Sequence, residues 1–341
     1  LTAGDLEATP YRRYAATSEG LMIWDRTQAE LAWDAKLGRT VDVRTVAYHH
    51  GFQRAWTKLN RFADGSSLHD RLLTDTQGQN GVFLAILRGD EDTVSPDQQL
   101  LIGTNDRGFN SMGVQSRAYW QTQGDMLDHD LEVGLRYHID DVVRLHTEVP
   151  YNMTDGSLEP TGGDTITTLD RITNAKALAA HLHDTLEWKR LQLHSGVRIE
   201  SIYTQFADND ATLSDPIHRT AVLPGGGLLL QGTEWLQTYV GLHQGFSPVS
   251  PGQSEDVQAE SSWNYEGGVR LGRDTTRLEL GAFYNDYRNL TGQCSLSGGC
   301  TGDQIDQQYN GGEVDISGIE TFATHAVMLP NAITLPVTAA W

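Results

Sequence analysis

Long apolar runs are missing from this chain of 341 residues. Every hydrophobic stretch breaks within a few positions, well short of the ~20 residues a helix needs to cross a bilayer. That excludes helical spanning but leaves strands open, since these cross with about ten alternating residues. Cations are also scarce. Lys and Arg total 25 against 45 Asp and Glu, for a net charge of −20. A nucleic-acid partner is therefore excluded, because neutralising phosphates takes a cationic surplus. Apolar residues make up only 38% and the mean hydropathy is −0.42, too little for a large packed interior. There are 2 cysteines, and no second Cys/His pair at ligand spacing beside them, which disfavours a zinc site. No nucleophile elbow or comparable local motif is found, so no enzyme is expected.

What is present is alternation of period two, repeated along the chain. In HDLEVGLRYHID, Leu131, Val133, Leu135, Tyr137 and Ile139 fall on one face and Glu132, Gly134, Arg136, His138 and Asp140 on the other. A helix would smear those charges around its circumference; a strand separates them. LQLHSGVRIES, LQTYVGLHQG and SWNYEGGVRLG repeat the pattern, as do Ile333, Leu335 and Val337 near the end. These strands are longer than those of soluble β proteins. Their polar faces also carry Glu, Arg, His and Asp mid-strand, which a dry core does not tolerate unpaired. Trp24, Trp33, Trp120, Trp188, Trp235 and Trp263 are expected near strand ends, as interfacial girdles.

Connections alternate in length. Short turns are predicted at Leu37–Arg39, Gly124–Asp125, Lys189–Arg190, Gly232–Thr233, Arg273–Asp274 and Pro330–Asn331. Long polar segments are predicted over 55–109, 148–172, 209–219, 247–260 and 290–308. Short turn, long loop, short turn is the connectivity of an outer-membrane barrel. The expected fold is thus all-β: a transmembrane antiparallel β-barrel with about twelve strands present. Cys294 and Cys300, in the Gly/Ser-rich GQCSLSGGCTGD, are expected to close a small disulfide loop on the extracellular side.

Several stretches resemble TonB-dependent outer-membrane receptors, particularly the ferric-dicitrate receptor-like branch. GLHQGFSPVSPGQSEDVQAESSWNYEGGVRLG, Gly241 to Gly272, is similar to a family strand–loop–strand pattern. LELGAFYNDYRNLTGQC carries Phe283, Tyr284, Asp286 and Tyr287 where the following family strand has them. YNGGEVDISGIETFATH matches through Asn310, Gly312, Val314, Gly318 and Glu320. RRYAATSEGLMIWDRTQAELAW and LLIGTNDRGFNSMGVQSRAYW are similar in a less specific way. The family barrel has twenty-two strands, and the sequence contains neither the family's energy-coupling motif nor its plug. Residues 1–341 are accordingly expected to form one partial barrel domain, without plug, lacking its first and last few strands. The first residue, Leu1, and the last, Trp341, both read as cut ends.

The resemblance implies an outer-membrane transporter that binds a ferric chelate (iron dicitrate or another siderophore), contacts lipid, and is energised by the TonB complex through a part not in this sequence. It implies no cofactor beyond the transported chelate. Haem, a cobalamin or a glycan are alternative ligands; a passive porin and a barrel enzyme are alternative activities. A polyanionic chelate needs guanidinium and ammonium donors. Candidates lie on the inward face where strands enter long loops. They are His50, Arg54, Lys58 and Arg61 in YHHGFQRAWTKLNRF, then Arg144 and His146, His243 and Gln244, and Arg288. The 12 histidines are not expected to form a metal site. His49 and His50 point to opposite strand faces, and His181 and His183 share a face without a third ligand.

Overall fold

Antiparallel hairpins build the whole molecule. The computed structural model describes residues 1–66, 68–73, 78, 80–209, 213–253, 256–294, 307–330 and 333–341. In chain order these form α1 (Ala3–Ala8), β1 (Leu21–Leu37), β2 (Val41–Phe62), α2 (Leu68–Leu73), α3 (Gly81–Arg88), β3 (Leu100–Thr122), β4 (Asp128–Thr154) and β5 (Ser157–Pro160). Then come β6 (Ile166–Trp188), β7 (Leu191–Asp208), β8 (Ile217–Thr233), β9 (Leu236–Ser247), β10 (Glu260–Arg273) and β11 (Thr276–Arg288). The last are β12 (Thr291–Gln293), β13 (Gln308–Asn310), β14 (Val314–Leu329) and β15 (Ile333–Ala340). Among the described residues twelve strands follow one another in a single wall, each beside its sequence neighbour. β5 folds back on β4, and β12 and β13 form a separate ribbon in a loop. Among the described residues β1 and β15 are not paired, so the wall is open.

The alternation predicted from sequence is realised by the register. Val133, Leu135 and Tyr137 are about half exposed (47%, 56% and 46%), and Leu131 shares their face. So do Leu178 and Leu182 on β6, Ile199 on β7, Val222 and Leu228 on β8, and Val240 on β9. An exposed apolar belt running from strand to strand is what lipid contact requires. Trp33, Trp120 and Trp188 lie on this outward face near the short turns. Tyr137, Tyr203, Trp263, Tyr265 and Tyr284 occupy it nearer the long loops. Two aromatic girdles thus bracket the apolar band. Trp24 corrects the prediction: its even position turns it inward opposite Arg54, where it packs on Phe52 with ring centroids 6.5 Å apart.

The wall also continues further than the sequence suggested. The predicted loops 55–109 and 148–172 shrink, because β2 runs to Phe62, β3 begins at Leu100, β4 ends at Thr154 and β6 begins at Ile166. Beyond the upper girdle the outward positions include Asp106, Asn110, Asp141 and Asn174. Both faces mix polar and apolar residues there, with Val143, Leu145 and Ile172 also outward and Phe52 and Phe109 inward, so hydropathy no longer alternates although the hydrogen-bonded ladder persists.

The buried core sits not within the wall but on its long-loop end. Tyr14, Ala16, Phe62, Leu84, Ile86, Leu87, Leu100 and Met153 form one cluster. It joins the segment before β1, α3, and the outer ends of β2, β3 and β4 into a single cap. α3 ends at Gly89, whose left-handed φ of 84° closes the helix. A Cβ there would lie 2.7 Å from that of Ala15, so only glycine lets the helix end meet the N-terminal segment. Asp5 ties the same parts by charge. It accepts from Tyr14 Oη, from Thr2 Oγ1 at 3.0 Å and from Arg88 Nη2 at 2.6 Å.

Candidate ligand-binding site

A row of arginines crosses the inward face on the long-loop side of the wall. Register places Arg54 on β2 opposite Arg107 on β3, Arg107 opposite Arg144 on β4, and Arg144 opposite Arg171 on β6. Directly opposed side chains stand about 5 Å apart, and like charges so placed are destabilising. Four in succession, in a chain of net charge −20, is a local conflict of the kind that marks function. Arg144 lies seven residues beyond Tyr137, roughly 23 Å along the strand at ~3.3 Å per residue, on the long-loop side of the upper aromatic girdle.

Inward positions around the row extend the site. One step toward the membrane, Phe52, Phe109, Val142, Thr173 and Phe206 are aligned by the same registers, with Phe52 and Phe109 centroids 5.9 Å apart. The guanidiniums therefore rest on an apolar sill. One step outward, His146 accepts from Arg107 Nε at 3.1 Å. Lys58 lies further out, its ammonium 4.4 Å from the Trp56 ring centroid. His50 Nε2 and Arg54 Nε are buried with no hydrogen-bond partner among the described residues.

Two carboxylates neutralise cations here. Glu148, only 4% exposed, takes Arg61 Nη2 at 2.8 Å and Asn60 Nδ2 at 3.0 Å. Asp208, across from Arg171 on β7, takes its Nε and Nη2 at 2.5 and 2.9 Å. Deeper along the inward face, Tyr48 Oη lies 2.6 Å from His138 Nδ1, and Arg136 Nη2 lies 3.1 Å from the same nitrogen. A guanidinium only donates, so Nδ1 accepts and Nε2 carries the proton shared with Asp140 at 2.6 Å. Further along, a hollow of about 760 Å³ is lined by His183, His194, His243, Glu266 and several glycines. Among the described residues no group of three or more His, Cys, Asp and Glu is placed to hold a metal.

The candidates from sequence divide accordingly. Arg54 and Arg144 stand in the row, with His50, Lys58 and His146 on the same face. Arg61 is turned inward by a bulge between Leu59 and Arg61 and held by Glu148. His243 faces inward but lines the hollow, away from the row. Gln244 and Arg288 are corrections. Gln244 opposes Trp263 and Arg288 opposes Ser261, so both lie on the outward side, because period two sends neighbours such as His243 and Gln244 to opposite faces. Arg107 and Arg171 were missed, since both fell within segments read as loops. Cys294 is disulfide-bonded, and Cys300 lies outside the described residues.

Comparison with known proteins identifies the architecture. The family model for the TonB dependent receptor-like β-barrel matches residues 2–340. The chain belongs to the TonB-dependent receptor β-barrel family. It is therefore a bacterial outer-membrane protein, and the family is one of receptors rather than enzymes. The receptor wall is similar to the unliganded ferric citrate transporter FecA, at 16% identity and a TM-score of 0.72, covering 100% of this chain and 45% of that one. The ferric-catecholate import receptor Fiu of E. coli K12 is similar at 12% identity and 0.61, covering 99% and 51%. BauA, the ferric preacinetobactin receptor of Acinetobacter baumannii, is similar at 12% and 0.63, covering 96% and 47%. The chain thus spans about half the length of these receptors, and at such identities the likeness concerns the fold. No curated protein matches by sequence.

Proposed function

We propose that this receptor wall serves the uptake of an anionic ferric chelate of the hydroxycarboxylate type, with iron(III)–citrate as the model ligand, driven by the TonB complex. The observation that carries the reading is the arginine row Arg54–Arg107–Arg144–Arg171. Adjacent guanidiniums offer several carboxylate-matching forks at once, and a polyanion would relieve their mutual repulsion. Phe52 and Phe109 beneath the row lower the local dielectric and strengthen those contacts. Similarity to ferric-chelate receptors supports the class of cargo.

The experiment is iron(III)–citrate binding to the full-length protein in outer membranes. Arg54→Gln and Arg144→Gln are each expected to weaken it by about 1.5–3 kcal/mol, the worth of a charge-assisted hydrogen bond in a dry site. Wild-type binding should fall as salt rises. Unchanged affinity in both variants would retire the row as a ligand site.

A further inference from the structure

The outward face of the wall carries few cations. Register turns the Lys and Arg residues of the strands inward, from Arg26 on β1 to Arg277 on β11, with three exceptions. Two of these, Arg273 and Arg288, end their strands and lie 3.8 and 3.6 Å from Asp274 and Asp286. The third is Lys176, exposed in the middle of β6. It stands beside Tyr203 of the upper girdle, and Tyr203 stands beside His218. From Trp188 of the lower girdle to Lys176 the strand runs about 40 Å at ~3.3 Å per residue. A tilt of about 45° reduces this to about 28 Å, just more than the height of the apolar band. The ammonium therefore reaches the head-group layer on the long-loop, extracellular side.

No carboxylate neutralises it there. Asp141, on the neighbouring strand, accepts from Asn174 Nδ2 instead, and among the described residues Lys176 has no hydrogen-bond or ion partner. His218 is held in place across Tyr203. The two rings stack with centroids 4.3 Å apart, and His218 Nε2 lies 2.8 Å from Ser201 Oγ. With Ser201 donating to Nε2, Nδ1 carries the proton and can donate to a further acceptor.

We propose that Lys176 and His218 form a binding site for the phosphate of an outer-leaflet glycolipid. The outer leaflet of this membrane presents phosphorylated sugars at that depth. In a chain of net charge −20, Lys176 is the point on the outward strand face where a lipid phosphate meets an unpaired cation. The ammonium supplies charge, the imidazole a directed hydrogen bond, and Tyr203 between them an apolar surface for the body of the lipid. The site lies on the face opposite the arginine row and does not depend on what that row binds.

The test measures lipid binding to the full-length protein in detergent by native mass spectrometry. The probes are diphosphorylated lipid A and the same lipid with its phosphates removed. Assembly of each variant is first confirmed by heat-modifiable electrophoretic migration. The unmodified protein is expected to prefer the phosphorylated lipid. Lys176→Gln should weaken that binding about fivefold, the worth of one basic residue at an anionic lipid surface, and Lys176→Arg should preserve it. Lys176→Gln combined with His218→Ala should bind the two lipids alike. Excess inorganic phosphate should not displace the lipid, and iron(III)–citrate binding should be unchanged in every variant. Equal affinity of the unmodified protein for both lipids, or full binding of the phosphorylated lipid by the double variant, would overturn the site. Displacement by inorganic phosphate would overturn the lipid as its occupant. Loss of iron(III)–citrate binding in Lys176→Gln would overturn the outward placement on which the site depends.

Discussion

Asp5 shows how far one carboxylate can govern a folded cap. Hydrogen bonding from Tyr14 first, then from Arg88 and Thr2, outweighs the effect of burial and holds its carboxyl at about 2, below its ordinary 3.8. A depressed folded value means the acid stabilises the cap above its ordinary pKa and loses that contribution as pH falls. The window therefore opens just below 4 and closes near 2. Hydrogen exchange at α3 amides should rise through this window. Asp5→Asn should remove most of the pH dependence and destabilise the cap at neutral pH by about 1–3 kcal/mol, because Arg88 is left without its charge partner. Flat exchange in the wild type between those pH values would refute the linkage. Arg61 is a contrasting case. By type and sequence it looks like a ligand group, yet Glu148 occupies it, so its removal should loosen the wall rather than the chelate.

The outer end of β2 owes its shape to one bulge. Adding Asn60 to the ladder shifts the parity of the strand, so that Lys58 and Arg61 both face inward although they are three apart. Asn60 then leans over β3 to reach Glu148, across the space above Gly103. A Cβ on Gly103 would lie 1.9 Å from Asn60 Nδ2. Gly103→Ala is expected to destabilise the outer end of the wall by about 1–3 kcal/mol, as overpacking does. Combining it with Asn60→Ala should remove most of the clash, so the two changes should be non-additive in thermal unfolding. Additive losses would mean that the contact is not the cause. The alternation at the membrane end of these strands was legible in sequence because it is local. The bulge was not, since it is defined only by the pairing partner.

Across the full wall, polar and apolar residues have exchanged the places they hold in a soluble protein. Val133 faces outward in the belt between the girdles, while Gln192 faces inward, where its amide donates to Glu187 at 2.8 Å. Val133→Arg should cost about 2–4 kcal/mol of folding into lipid vesicles if it lies near the bilayer midplane. Gln192→Lys should be tolerated, because its partner is an acid and its surroundings are wet. Equal sensitivity at the two sites would contradict the assigned faces. The cap is the exception to this inversion, with a conventional core outside the membrane. Its helices were not expected from sequence, as the whole of 55–109 was read as polar loop, yet GVFLAILR buries Leu84, Ile86 and Leu87.

Alternation, turn residues and charge balance determined the class of this molecule without help from the structure. A strand's two faces are set by its own sequence, so Leu131, Val133 and Leu135 declare a lipid side wherever the strand is placed. Short turns such as Lys189–Arg190 are likewise local, whereas Gly232–Thr233 proved to be the end of β8, with the turn at Glu234–Trp235, and Asn331 lies outside the described residues. The tertiary structure alone decided which residues on different strands became neighbours. Arg54, Arg107, Arg144 and Arg171 are far apart in the chain, and each by itself is an ordinary polar residue. Register brought them into one row, because backbone hydrogen bonding fixes the slide of each strand against the next. A slip of one residue in any pairing would have sent one arginine to the opposite face.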